Sequence, residues 1–335
     1  MAMTITLEQL AVVGAAASVV DCIGNTPLVG LARYHPAQGG AGIFAKLEYL
    51  NPGGSVKDRI GKSMIEAAEQ RGELAPGGTI IEPTAGNTGI GLAVVAAVRG
   101  YRCIFVVPER FSQEKQTLTR AMGAKIVHTP TKEGMEGAIE KAHQLAAEIP
   151  GAVVMQQFAN PANVAAHYET TGAEIWEQME GRVDVAVLGA GTGGTFTGVV
   201  RYLKERNPHL QGVIVQPHGA SLGKGYAGSH KTEGIGIDCM ETAELLDEAL
   251  IDRMFVVKDE DAHAAVLELA RTEGMLVGSS SGAAAHAARV VAREIARGGK
   301  GQSAKAGARI VTLFADGGDR YLSKGLYDNF TEWRA

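Results

Sequence analysis

Cysteine is scarce: Cys22, Cys103 and Cys239 are the only three in 335 residues, odd in number and scattered. This excludes a disulfide framework and the paired spacing of a metal site, and it fits a reducing cytoplasm. No run reaches the ~18 uninterrupted apolar residues that a membrane span needs, so none is expected. Positive charge is not in excess, since the formal net charge is −5 at pH 7. Nucleic acid is therefore not an expected partner. Leu10–Val20 is apolar and rich in small residues, but Glu8 precedes it and no Lys or Arg does. The charged start of a signal peptide is missing, and the segment reads as a docking helix.

Glycine, by contrast, is abundant. The 44 glycines are not periodic and cluster at the ends of apolar runs, as turns leaving buried strands do. Short β-branched runs alternate with amphipathic stretches. Strands are predicted over Ile43–Leu47, Thr79–Glu82, Arg102–Val107, Lys125–His128, Val183–Leu188, Gly212–Gln216, Met254–Val257 and Arg309–Phe314. Helices are predicted over Lys57–Arg71, Thr88–Val98, Glu133–Ile149, Asn163–Met179, Phe196–Arg206 and Asp261–Glu273. That alternation means an α/β fold with mostly parallel sheets, whose ligands sit at the carboxyl ends of strands. The Gly-rich stretch Pro217–Asp238 shows no clear element and reads as a mobile active-site loop.

Four loops at such positions carry chemistry. In Asn51-Pro52-Gly53-Gly54-Ser55-Val56-Lys57-Asp58-Arg59, Ser55 can cap the next helix, with Asp58 three residues on. Lys57 then lies in the first turn, where the positive helix end favours a neutral, nucleophilic amine. In Glu82-Pro83-Thr84-Ala85-Gly86-Asn87-Thr88-Gly89, backbone amides at a strand-to-helix turn can cradle a carboxylate or phosphate. The third loop, Gly189-Ala190-Gly191-Thr192-Gly193-Gly194-Thr195, matches the dinucleotide pattern G-x-G-x-x-G, yet the next strand ends in Pro217 and His218 with no acid to bind a ribose. The hydroxyls of Thr192, Thr195 and Thr197 suit a single terminal phosphate instead. The fourth is a strand-like run entering a helix, Gly274-Met275-Leu276-Val277-Gly278-Ser279-Ser280-Ser281-Gly282. Its serines could cap that helix, or one could reach a heterocyclic nitrogen.

Together the loops resemble the cysteine synthase (O-acetylserine sulfhydrylase) family and the related catalytic core of cystathionine β-synthases. The resemblance runs from Ile23-Gly24-Asn25-Thr26-Pro27-Leu28 to Asp319-Arg320-Tyr321-Leu322-Ser323. It implies a tryptophan-synthase-β-like (fold type II) pyridoxal 5′-phosphate enzyme of two α/β subdomains: residues 1–48 with 159–335 as the larger, cofactor-phosphate-binding one, and 49–158 as the smaller, mobile, substrate-binding one. By resemblance Lys57 is the Schiff-base lysine, and Asn87 bonds the cofactor's phenolic oxygen. Gly191, Thr192, Gly193, Gly194 and Thr195 cradle its phosphate, and Ser280 partners its pyridine nitrogen. Thr84, Ala85, Gly86, Thr88 and Gln157 bind substrate, and Gly234 in Gly234-Ile235-Gly236 closes the site. No metal is implied. Three departures stand out: Ala85 replaces the family's serine, Phe111 replaces a frequent methionine, and Cys239-Met240-Glu241-Thr242 replaces an aromatic-aliphatic-proline run.

The activity so implied is ping-pong β-replacement of O-acetylserine by sulfide, giving cysteine and acetate, with Lys57 as general base. Homocysteine, the acceptor of a cystathionine β-synthase, is the alternative, and His167-Tyr168-Glu169-Thr170-Thr171 and Pro83 look somewhat like that enzyme. Serine or threonine dehydratases fit less well, because their S-F-K and S-x-G-N-H patterns are absent. The resemblance also implies a homodimer, and leaves a serine acetyltransferase C-terminal tail as a partner to consider.

Overall fold

The computed structural model describes residues 15–34, 41–109, 113–220, 222, 228–237, 243–298 and 307–328. The strands are β1 (Leu28–Gly30), β2 (Gly42–Leu47), β3 (Thr79–Pro83), β4 (Arg102–Pro108), β5 (Lys125–Thr129), β6 (Ala152–Val154), β7 (Val185–Gly189), β8 (Gln211–Pro217), β9 (Arg253–Val257) and β10 (Arg309–Phe314). They form a six-stranded sheet ordered β1-β2-β10-β7-β8-β9 and a four-stranded sheet ordered β5-β4-β3-β6. Every pairing is parallel except β1 with β2. The helices are α1 (Lys57–Gln70), α2 (Asn87–Arg99), α3 (Gln113–Ala121), α4 (Gly134–Glu148), α5 (Pro161–Ala166), α6 (Ala173–Gln178), α7 (Gly194–Arg206), α8 (Asp259–Glu273) and α9 (Ser279–Ala296).

The central strands are mostly apolar because helices cover both faces of each sheet. Side chains alternate across a strand, so each strand feeds two cores. Val185, Val187, Val213 and Val215 join α8 and α9 on one side, while Ala186, Leu188 and Ile214 join α7 on the other. The smaller sheet repeats the arrangement: Ile80, Phe105 and Val107 face α1 and α2, and Ile81, Ile104 and Val106 face α4.

Several sequence expectations change. The helix expected over Asn163–Met179 is one helical run, but its middle, His167–Gly172, is wound as a π-helix. Gly274–Gly278 is not a strand; Gly274 ends α8 at φ +71°, and Val277 makes only an isolated bridge to Gly317. Of the expected N-terminal docking helix, the described part holds a 3₁₀ turn at Val19–Cys22, started by Ser18 and Asp21, and residues 10–14 lie outside the described residues. Phe111, Cys239–Thr242 and residues 221, 223–227 and 238 of the Gly-rich loop also lie outside them.

Helices α1 and α2 cross at two glycines. A Cβ on Gly91 would lie 2.5 Å from the Lys57 carbonyl oxygen, and one on Gly61 would lie 2.6 Å from the Gly91 carbonyl carbon. Backbone cannot yield as a flexible side chain can, so a methyl group here acts as overpacking. Gly91→Ala is expected to lower stability by about 1–3 kcal/mol, read as an earlier midpoint in urea with an unchanged slope.

Candidate active site

Lys57 opens α1 directly after the Pro-Gly-Gly turn. Ser55 does not cap the helix as expected, because Val56 occupies the N-cap position. Instead the Ser55 hydroxyl takes the Lys57 N–H at 3.2 Å. Asp58 folds back to accept the Gly53 N–H at 2.5 Å, which closes the turn. Two residues beyond Lys57, Arg59 is pinned between buried Glu48 (2.7 Å) and Glu174 (2.6 Å), fixing the start of α1 against neighbouring elements. Burial lowers the Lys57 amine from the ordinary lysine range, with the charges of Asp316 and Glu48 working against that shift. Burial thus adds to the helix-end effect expected from sequence, and both favour the neutral amine.

The amine opens onto a cavity of about 480 Å³, counting its mouth, whose walls include Lys57, Gly191, Thr192, Gly193, Thr195, Gly234 and Ser280. These predicted residues lie far apart in sequence and share one space.

The glycine loop ends at the N-terminus of α7, with Gly193 at φ +86° as N-cap. A Cβ on Gly194 would lie 2.1 Å from Asn163 Oδ1, and one on Gly191 would lie 2.6 Å from the Gly234 carbonyl. Glycine is what allows the loop to sit this close to its supports. Asn163 donates to the Gln157 carbonyl at 2.8 Å and to Thr192 Oγ1 at 3.1 Å, while Thr192 Oγ1 takes the Gly194 N–H at 3.3 Å. Thr195 Oγ1 lies 3.1 Å from Nε2 of buried His167, whose Nδ1 lies 3.0 Å from Thr171 Oγ1. Burial first, with the Arg59 guanidinium nearby, holds His167 well below its ordinary range and so neutral. Thr197 corrects an expectation: its hydroxyl is buried and accepts the Asp247 N–H at 3.0 Å, away from the cradle. The remaining arrangement is a backbone-amide nest on a helix dipole, suited to a monoester phosphate.

The three serines at the start of α9 divide their tasks. Ser279 Oγ accepts the Glu233 N–H at 3.0 Å, and Ser281 Oγ accepts the Ala315 N–H at 3.0 Å. None is the N-cap, which is Gly278. The hydroxyl of Ser280, on the cavity wall, makes no hydrogen bond among the described residues. Its neutral hydroxyl is the one left for a ligand.

The Thr84–Thr88 loop joins β3 to α2, and Gly86 is the helix N-cap. Thr84 Oγ1 takes the Gly86 N–H at 3.2 Å, and Thr88 donates to Gln157 Oε1 at 2.6 Å. Buried Glu82 holds Gln157 from below, accepting the Gln156 and Gln157 N–H groups at 2.9 and 3.2 Å. Thr84, Ala85, Gly86, Thr88 and Gln157 thus lie together, tied to the phosphate-type cradle through Asn163. Burial pushes the Glu82 carboxyl up to about 7, against the pull of those two donors. A carboxyl raised in the folded state stabilises the fold at low pH and loses that contribution as pH rises through its folded value. The Glu82 contribution is therefore expected to fall between about pH 4.5 and 7. Glu82→Gln should flatten that slope by on the order of 3 kcal/mol, measured as urea midpoints across the range.

The profile of the pyridoxal-phosphate dependent enzyme family matches residues 19–316. The chain belongs to that family. It is 47% identical over 310 residues to the O-acetylserine dependent cystathionine beta-synthase of Bacillus subtilis (strain 168), covering 92% of this chain and 97% of that protein. It is 44% identical to the cysteine synthase of Helicobacter pylori (strain J99), covering 92% and 97%. The crystal structure of an O-acetylserine dependent cystathionine beta-synthase from Helicobacter pylori superposes with a TM-score of 0.85 at 44% identity, covering 93% and 99% of the chains. That of cysteine synthase from Entamoeba histolytica gives 0.87 at 37%, covering 96% and 93%. The fold is therefore the fold type II architecture of pyridoxal-phosphate enzymes.

In this pyridoxal-phosphate dependent enzyme the residues present suit the cofactor. One cavity offers a buried amine, an amide nest for a phosphate monoester and an uncommitted hydroxyl. Among the described residues, no group of three or more His, Cys, Asp or Glu is placed to hold a metal, and no helix is long and apolar enough to cross a membrane. Sequence reasoning did not assign Asp316, Arg320, Asn163, His167 or Glu82 to the site. Only Asp316 and Glu82 gave a usable signal, since each stands at the carboxyl end of a parallel strand, where ligands of such sheets bind.

Proposed function

We propose that the chain is a cysteine synthase, replacing the acetate of O-acetyl-L-serine with sulfide to give L-cysteine. The observation that carries the reading is the convergence of Lys57, the Gly191–Thr195 loop and Ser280 on one cavity. The name shared by several close relatives supports it.

In this reading Lys57 holds the cofactor, Gly191, Thr192, Gly193, Gly194 and Thr195 hold its phosphate, Asn87 serves its phenolic oxygen and Ser280 its ring nitrogen. When bound, the cofactor supplies an aldehyde for amines and an electron sink beside the substrate's α-carbon. The protein does the rest. Amides of Thr84–Thr88 and the Gln157 side chain hold the substrate carboxylate and orient the α-hydrogen toward Lys57. Lys57 Nζ, kept neutral by burial, takes that proton and later returns it, a general base and then a general acid. The Ser280 hydroxyl cannot hold a proton on a facing nitrogen as a carboxylate would, which suits loss of a good leaving group. Gly234 lines the mouth. Residues 49–158 move as the smaller unit against 1–48 with 159–335, and the enzyme works as a homodimer in the cytoplasm, where a serine acetyltransferase tail is the partner to test.

A second reading has its own support: the Bacillus relative is named an O-acetylserine dependent cystathionine beta-synthase. The purified protein should carry a visible absorption band that borohydride abolishes with labelling of a lysine. Adding O-acetylserine should change that band, and sulfide or homocysteine, supplied in turn, should restore it. Cysteine formation at the higher kcat/KM supports the first reading, and cystathionine formation the second. A colourless protein that binds a nicotinamide dinucleotide would refute both.

A further inference from the structure

We infer that Asp316 and Arg320 are positioning residues: they clamp the side-chain amide of Asn87 in one orientation, leaving it an N–H to offer a ligand. The inference rests on the proposed cofactor reading and deepens it.

Asp316 lies two residues past the end of β10, next to Ala315 in the cavity wall, and is 2% exposed. Its Oδ2 accepts the Asn87 Nδ2–H at 2.6 Å and the Tyr321 hydroxyl at 2.5 Å. From the other side Arg320 donates to Asn87 Oδ1 at 2.7 Å. A second nitrogen of that guanidinium grips the Gly53 carbonyl, in the turn that leads to Lys57. The carboxylate has little room to turn, since a Cβ on Gly278 would lie 2.1 Å from Asp316 Oδ1.

The chemistry of the partners dictates the orientation. A guanidinium can only donate, and a carboxylate can only accept. The amide oxygen must therefore face Arg320 and the nitrogen must face Asp316. Flipping it would set oxygen against carboxylate and N–H against guanidinium, in a buried setting where unmatched polar contacts are costly. One of the two N–H groups is spent on Asp316, and the other remains. Its complement is an acceptor atom, as an oxygen on the cofactor ring would be. The clamp also joins elements of both sheets, because Asn87 follows β3 and Asp316 follows β10.

The test is a double-mutant cycle on the holoenzyme. Visible spectra and the rate of cofactor release are compared for wild type, Asn87→Ala, Asp316→Ala and the double variant. Each single variant is expected to shift the band and to speed release by about tenfold, the size of one lost charge-assisted hydrogen bond. The double variant should be no worse than Asn87→Ala alone, because Asp316 acts through Asn87. If Asp316→Ala does not fold, Arg320→Gln probes the clamp from its other side with the same expectation. Effects that add, or a band left unmoved by these variants, would overturn the clamp while sparing the cofactor reading. A wild-type protein with no lysine-linked band would overturn that reading itself, before any variant is made.

Discussion

Replacing Lys57 with alanine is expected to lower turnover by ~10³-fold or more, the scale of losing a general base that is also the covalent anchor. Among the described residues lining the cavity, Lys57 is the single amine. Lys46 cannot stand in, being buried and held by Glu174 at 2.6 Å, and Lys324 is held by Glu233. The variant should still fold, since the Lys57 side chain holds no hydrogen bond among the described residues and its backbone role in α1 survives. Its stability should stay within about 1 kcal/mol of wild type. Borohydride should then label no lysine, and a small primary amine added at high concentration should restore part of the rate. Wild-type turnover in the variant would remove Lys57 from the mechanism.

Ser280→Asp is the second large effect. The position is 6% exposed and its neighbours Ser279 and Ser281 are bound to backbone N–H groups, so a new carboxylate would have only the cavity to face. There it would hold a proton on a ring nitrogen and stabilise carbanionic character at the expense of expulsion of the leaving group. β-Replacement is expected to fall by about ten- to a hundredfold, matching a change of one to two pH units in that nitrogen's basicity. Ser280→Ala, which also leaves the nitrogen unprotonated, should lose far less. Steady-state rates with O-acetylserine and sulfide, beside spectra showing that the cofactor is retained, separate the two. Equal rates in wild type and Ser280→Asp would end the role assigned to this hydroxyl.

The large elements were legible because their periodicity is local. Val185–Gly189 is apolar throughout and Arg309–Phe314 mostly so, as strands buried on both faces tend to be. Leu28–Gly30 and Ala152–Val154 were not, because three residues cannot show alternation. Helix Gln113–Ala121 went unread for another reason: it is mostly polar, and little of it is buried. In the site, Lys57, Gly193 and Ser280 announced themselves through glycine, proline and serine packed into short loops. Arg320 did not, and Asp316 only through its place past a strand end, since their partner Asn87 lies 233 and 229 residues away and no local pattern records such a meeting. Division of labour among Ser279, Ser280 and Ser281 was similarly invisible, being set by the Glu233 and Ala315 amides that reach them.

The crossing of α1 and α2 at Gly61 and Gly91 has a mechanical consequence. With backbone against backbone at that crossing, the two helices have little soft layer to shear, so in the proposed reading Lys57 at the head of one and the Thr84–Thr88 turn at the head of the other would travel as a single jaw. If residues 49–158 move as proposed, such a jaw would vary its gap to the phosphate nest while keeping the spacing between the proton acceptor and the carbon it serves.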